Sequence, residues 1–160
     1  MNYSFKKEGK FNYVEIGEGR PIIILHGLMG GLSNFAGVTE FFNQNGYKVV
    51  LPELPLYSLP LLSTNVKSFA EYLKDFIDLL GYKDVVLLGN SLGGHIGLLY
   101  TKLYPAKVKA LVITGSSGLY ESAMGSGYTK RSDYEVMKAK VQEVFYDPEV
   151  ASKEMVDEVF

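Results

Sequence analysis

The chain has 160 residues, 47% of them apolar and 21% charged, with a formal net charge of −2. That size and mix fit one globular domain with a sizeable core, and so weak a charge offers no field for nucleic acid or an anionic membrane surface. There is no cysteine, which excludes disulfides and thiolate chemistry, and the two histidines, His26 and His95, lie too far apart to suggest a metal site.

The opening MNYSFKKEGK lacks the apolar run of a secretory signal, and no stretch approaches the ~18 apolar residues of a membrane span. A cytoplasmic protein is expected. Residues 3–19, YSFKKEGKFNYVEIGEG, alternate on both sides of Gly9 and predict an N-terminal antiparallel hairpin at a sheet edge. Four apolar runs follow, PIIILHG (21–27), YKVVLPE (47–53), DVVLLGN (84–90) and VKALVITG (108–115). Without polar alternation, they read as parallel strands buried on both faces.

Helical patterns fill the gaps. Ser33 is placed to cap a helix carrying Phe35, Val38, Phe41 and Phe42 that stops at Gly46. Asn65 is placed to cap a longer one, with Val66, Phe69, Leu73, Phe76, Ile77 and Leu80 at helical spacing and Gly81 beyond its end. A third runs from about Leu92 to Tyr104, with Leu92, Ile96, Leu99 and Leu103 on one face and Pro105 as its stop. The alternation from 21 to 115 predicts an α/β fold, a doubly wound, mostly parallel sheet in three layers.

After residue 117 the strand signal ends. GLYESAMGSGYTKR is a Gly- and Ser-rich connection, and Ser132 is then placed to cap a helix with Tyr134, Met137, Val141, Val144 and Phe145 on one stripe. DPEV predicts a further helix from 148 carrying Ala151, Met155, Val156 and Val159. Its pattern is still running at Phe160.

Residues 89–93, GNSLG, match GxSxG between a predicted strand and a predicted helix, the setting that gives the pentapeptide its meaning. At such a turn Ser91 sits in a strained backbone with its hydroxyl above the strand ends, and Gly89 and Gly93 keep strand and helix from colliding. Close helix packing alone would account for the glycines but not for a serine at the crest. The hydroxyl also faces the positive end of the following helix, which favours developing negative charge.

The first buried strand ends in LHGLMGG (25–31). In a parallel doubly wound sheet both strand ends face one crevice, so the two motifs converge. Acyl transfer needs two N–H donors for the oxyanion; Leu92 supplies one, and Leu28, or the neighbouring Met29, the other.

This pairing resembles the α/β-hydrolase fold superfamily, with HGLMGG like its oxyanion turn and GNSLGG like its nucleophile elbow, over residues 3–117. The resemblance implies Ser91 as nucleophile, the backbone amides of Leu28 and Leu92 as oxyanion hole, and a sheet in the order 1-2-4-3-5-6. It implies that His26 and Gly27 support the oxyanion turn, as Gly89 and Gly93 support the elbow. The core would then be residues 1–117 and the start of a helical cap or lid 118–160. One departure is LPELPLYSLP (51–60), where many relatives carry an acidic, glycine-rich turn. Its three prolines make a stiff connection or shape the rim of the pocket.

A serine hydroxyl needs a base, and in this fold the order is Ser, then Asp or Glu, then His. No histidine follows His95. That residue, one turn up the helix from Ser91, is expected to pack beside the sheet, and His26 to brace its own turn. Glu121, the nearest later carboxylate, reads as a solvated loop charge. The triad acid and base are therefore expected outside these residues, in a longer hydrolase of which this chain is the N-terminal part. Alone, it is expected to be inactive and prone to associate through the apolar edge ALVITG. The expected activity is hydrolysis of an ester, thioester, amide or C–C bond in a small apolar substrate through an acyl enzyme, with no cofactor and no metal. The alternative is a ligand-binding module on the same fold that has lost catalysis.

Overall fold

The computed structural model describes residues 5–28, 32–56, 64–119, 133–143 and 145–160. The chain opens with the hairpin β1 (Phe5–Glu8) and β2 (Phe11–Ile16), paired antiparallel. The four apolar runs are β3 (Arg20–Leu25), β4 (Tyr47–Pro52), β5 (Val85–Asn90) and β6 (Val108–Thr114). They lie in one six-stranded sheet in the order β1-β2-β4-β3-β5-β6, the order that the resemblance implied. From β4 to β6 all neighbours are parallel, and β2 joins β4 antiparallel.

Successive residues of a strand point to opposite faces, so an unbroken apolar run demands cover on both, which β3, β4 and β5 have. β6, expected to be covered likewise, has no buried residue because it is an edge strand here. Ile22, Ile24, Val49, Leu51 and Leu88 share one face with Phe35, which leads into α1 (Ala36–Gln44). Ile23, Leu25, Val50, Val85 and Leu87 face the other, beneath α2 (Val66–Leu79) and α3 (Leu92–Leu103). Burial of each such side chain contributes roughly 1.5–3 kcal/mol, and these two layers hold the strand ends in register. The sheet is therefore the doubly wound, three-layered one expected.

In α2 the sequence signals hold in detail. The Asn65 side chain accepts a hydrogen bond from Ser68 N at 3.0 Å, and Phe69, Leu73, Phe76 and Ile77 are buried. Phe76 meets Tyr13 edge-on at 5.2 Å, tying the helix to the hairpin.

Four local expectations are corrected. The helix given to Ser33 begins later: Leu32–Phe35 form a 3-10 turn, and α1 starts at Ala36 with Phe35 at its N-cap and no side-chain cap. Phe41, placed on the apolar stripe, is 60% exposed; Thr39 is buried instead, while Phe41 leans edge-on against Phe42. In α3 the buried face is Gly93, Gly94, Ile96, Gly97 and Tyr100, and Leu103 is exposed. The small residues let that helix approach the sheet, so that Leu92 and Leu99 of the expected stripe pack at the margin of the core and Leu103 is turned out.

The fourth correction concerns the C-terminal helices. Asp133 caps α4 (Tyr134–Gln142) by accepting from Glu135 N and Val136 N, while Ser132 and Val144 lie outside the described residues. A carboxylate at that end also complements the helix dipole. The helix expected from 148 is broken: Asp147 caps a 3-10 turn, Pro148–Val150, and Ala151 leaves helical geometry at ψ 88. Ser152 then caps α5 (Lys153–Val159) by accepting from Met155 N. Met137 and Val141 of α4 and Val156 of α5 are buried, and Tyr134 donates to Asp157 at 2.8 Å. Among the described residues no helix is long and apolar enough to cross a membrane.

Candidate active site

Ser91 stands between β5 and α3 with φ 52 and ψ −118, the one non-glycine residue with positive φ among those described. Such a backbone costs about 1–3 kcal/mol and persists only where its surroundings over-determine it. Here they do. A Cβ on Gly93 would collide with Leu25 O and stand 2.6 Å from Leu25 C; one on Gly89 would stand 2.5 Å from Gly93 C. The first turn of α3 is thus pressed against its own strand and against the end of β3.

That contact brings the two sequence motifs together. A Cβ on Gly27 would stand 3.1 Å from Ser91 Cβ and 3.4 Å from Asn90 Oδ1, so the turn after β3 passes directly beside the serine. Leu28 follows, 40% exposed, and Met29 lies outside the described residues. On the other flank, Leu92 N belongs to the first turn of α3, ahead of the bond from His95 N to Ser91 O. The backbone of Ser91 is held at both ends: its N donates to Thr114 O at 3.0 Å, and its O accepts from His95 N at 3.2 Å and Ser117 N at 3.3 Å.

His26 is buried at the root of the same turn. Its Nε2 accepts from Leu54 N at 3.2 Å, which requires the proton on Nδ1, and that nitrogen donates to Gly27 O at 2.9 Å. Burial pulls its pKa below the ordinary 6.5, against the smaller opposing pulls of the Gly27 carbonyl and the Glu53 charge. The imidazole is therefore a neutral tie between the turns after β3 and β4.

His95 is half-buried on α3, and its Nδ1 shares a hydrogen bond of 3.5 Å with Ser117 Oγ. Among the described residues neither imidazole hydrogen-bonds the Ser91 hydroxyl. Glu121 lies outside the described residues. Of the proline-rich stretch, Leu54 is buried and linked to His26, while residues 57–60 lie outside the described ones. A cavity of about 210 Å³ between the hairpin and α2, lined by Lys10, Asn12, Glu53, Leu54 and Tyr72 among others, does not include Ser91.

Two contributors were not read from the sequence. Asn90 donates from Nδ2 to Thr114 O and Oγ1, both at 3.1 Å, fastening the elbow to the end of β6. The Ser116–Ser117 turn lies over the start of α3. Asn90 was a spacer inside GNSLG, and its partner is distant in sequence. Only the polar cluster TGSS at the end of an apolar strand could have signalled the pair.

The chain matches the family model described as alpha/beta hydrolase fold over residues 20–153. MGS-MChE2, an alpha/beta hydrolase enzyme from the metagenome of sediments of the lagoon of Mar Chica, Morocco, is 67% identical in its crystal structure, with a TM-score of 0.71 over 74% of this chain and 54% of that one. The 2-hydroxy-6-oxononadienedioate/2-hydroxy-6-oxononatrienedioate hydrolase 2 of Pseudomonas putida is 34% identical over 66% of this chain and 40% of its own length. The 2-hydroxy-6-oxo-6-phenylhexa-2,4-dienoate hydrolase of Comamonas testosteroni is 28% identical over 91% of this chain and 57% of its own. The chain spans about half the length of these relatives. With its sheet order, its strained serine between strand and helix, and a family match across most of its length, it belongs to the alpha/beta hydrolase fold family.

Proposed function

We propose that the protein carrying this chain is a serine hydrolase with Ser91 as its nucleophile. The observation that carries this reading is the apposition of Gly27 to a serine held at positive φ. Oγ attacks the carbonyl carbon of the substrate while its proton passes to a general base. The carbonyl oxygen becomes an oxyanion, and the N–H groups of Leu92 and Leu28 receive it. Collapse of the tetrahedral adduct breaks the bond to the leaving group, which takes up the proton and departs, leaving an ester on Ser91. Water then attacks that ester through a second tetrahedral adduct, and the acid and the free serine are released.

His26 and Gly27 support the oxyanion turn in this reading, and Gly89 and Gly93 the elbow. Residues 1–117 are the catalytic core and 118–160 the start of a helical cap. Neither histidine is assigned as base, because His26 is engaged by Leu54 and Gly27 and His95 by Ser117. We assign the base and its acid to sequence outside these 160 residues, so the chain alone is inactive. Substrates to assay are small apolar esters, thioesters and amides, followed by 2-hydroxy-6-oxo-dienoates, the compounds in the relatives' names.

The test is labelling by a fluorophosphonate in the natural protein that carries this sequence. Modification at Ser91, abolished in Ser91→Ala, is the expected result. Equal labelling of both proteins, or of neither, removes Ser91 as the nucleophile.

A further inference from the structure

The turn that leaves β6 is seated on the first turn of α3 at three points. Ser117 N donates to the Ser91 carbonyl at 3.3 Å, beside the His95 N donor at 3.2 Å. Ser116 lies over Gly94, where a Cβ would stand 2.6 Å from the Ser116 hydroxyl oxygen. The His95 ring lies against Gly118, where a Cβ would stand 2.5 Å from its Cδ2 and Nε2, and its Nδ1 shares the hydrogen bond with Ser117 Oγ. Gly115 and Gly118 flank the turn with φ 49 and 81, so the chain can double back onto the helix there.

His95 therefore touches this seat twice. Its main chain bonds the Ser91 carbonyl, and its side chain holds the turn that supplies the other donor to the same oxygen. A serine at φ 52 keeps that geometry only under constraint, and rotation of its peptide would swing the hydroxyl away from the turn at Gly27. We propose that His95 is a positioning residue: its imidazole seats the Ser116–Ser117 turn so that Ser117 N stays on the Ser91 carbonyl and the hydroxyl stays aimed. It is not the base. The proposal rests on the reading of Ser91 as nucleophile and assigns a role to the one histidine that reading leaves without one.

The test compares fluorophosphonate labelling rates of the natural protein with those of His95→Ala, Ser117→Ala, the double variant and His95→Asn, whose amide places a polar atom where Nδ1 stands. His95→Ala is expected to slow labelling about tenfold. Ser117→Ala acts in the same direction, the double variant loses no more than the worse single one, and His95→Asn recovers most of the rate. The pH profile of labelling keeps its shape in His95→Ala, because the base lies elsewhere. Hydrogen exchange at the Ser117 amide, expected about tenfold faster in His95→Ala with Leu87 unchanged, reads the seat without any labelling. A wild-type labelling rate in His95→Ala overturns the proposal whatever the exchange shows. So does loss of the pH-dependent limb, which would make His95 the base. If the natural protein itself is unlabelled, the nucleophile reading fails, and an unchanged Ser117 exchange rate then separately overturns the seat.

Discussion

Gly27 lies against the side-chain root of Ser91: a single carbon added to Gly27 would stand 3.1 Å from Ser91 Cβ. The width of the crevice is therefore set by a side chain that is missing. Gly27 does not have positive φ, so an alanine there is not strained by its own backbone. Gly27→Ala should displace the turn by a few tenths of an ångström, cost about 1–2 kcal/mol in stability and slow labelling at Ser91 about tenfold or more. A melting curve and a labelling rate separate the two effects. Unchanged labelling would remove the close approach from the mechanism.

Gly93→Ala makes the opposite case, because its collision is with the backbone of Leu25 and cannot be relieved by turning a side chain. Here folding itself should suffer, by at least about 3 kcal/mol, with labelling lost in proportion to the folded fraction. Circular dichroism beside labelling checks this, and a stable but unlabelled Gly93→Ala protein would contradict it.

His26 ties stability to pH. Burial holds its folded pKa below the ordinary 6.5, so between those two values the unfolded chain binds a proton that the folded one refuses. Its contribution is whole above pH 6.5 and is lost as pH falls through the lowered folded value. His26→Gln should flatten the decline in melting temperature over that acid window and leave the rest of the curve parallel. His26→Ala should cost about 1–3 kcal/mol at neutral pH, because Leu54 N loses its acceptor. A wild-type acid slope in His26→Gln would place the titrating group elsewhere.

The sheet was legible because each strand carries its own signal. Residues 22–25 and 49–51 are apolar without interruption because both faces are covered, and that needs no knowledge of what covers them. The elbow and the turn after β3 were legible for a similar reason: their glycines are required by local crowding. The Asn90–Thr114 and His95–Ser117 pairs were not, since 24 and 22 residues separate the partners and neither side chain departs from its local pattern. The start of α1 slipped because a 3-10 turn precedes it and no side chain caps it, and those of α4 and α5 because nearby polar residues compete: Asp133 beside Ser132, and Ser152 after Asp147, could each have started a helix.

Asn65 is the cap that the sequence placed correctly, although Ser63 and Thr64 precede it. Its side chain satisfies Ser68 N at the start of the helix that carries Phe69, Leu73, Phe76 and Ile77 into the core. Asn65→Ala should cost about 1 kcal/mol, with Asn65→Asp close to wild type because a carboxylate accepts the same bond at a positive helix end. Thermal or urea unfolding decides it. An alanine variant as stable as the parent would mean that solvent replaces the cap.

The last prediction concerns the far edge of the sheet. β6 pairs with β5 alone among the described strands, and Lys109, Ala110, Val112 and Thr114 are exposed along it, Val112 at 43%. An edge strand offers unpaired N–H and C=O groups to any second strand, and here an apolar residue sits in the middle of the offer. Lys109, near the start of the strand, is the sort of charge that blunts such an edge. Further along, Ala110 and Val112 are apolar. The 160-residue chain by itself should therefore associate as its concentration rises, and Val112→Lys should shift that association to higher concentration without lowering the melting temperature, since the side chain is not in the core. Sedimentation velocity across a concentration series would show it. A chain that stays monomeric throughout, indistinguishable from the lysine variant, would mean that the edge is already blunted by Lys109 and the twist of the strand.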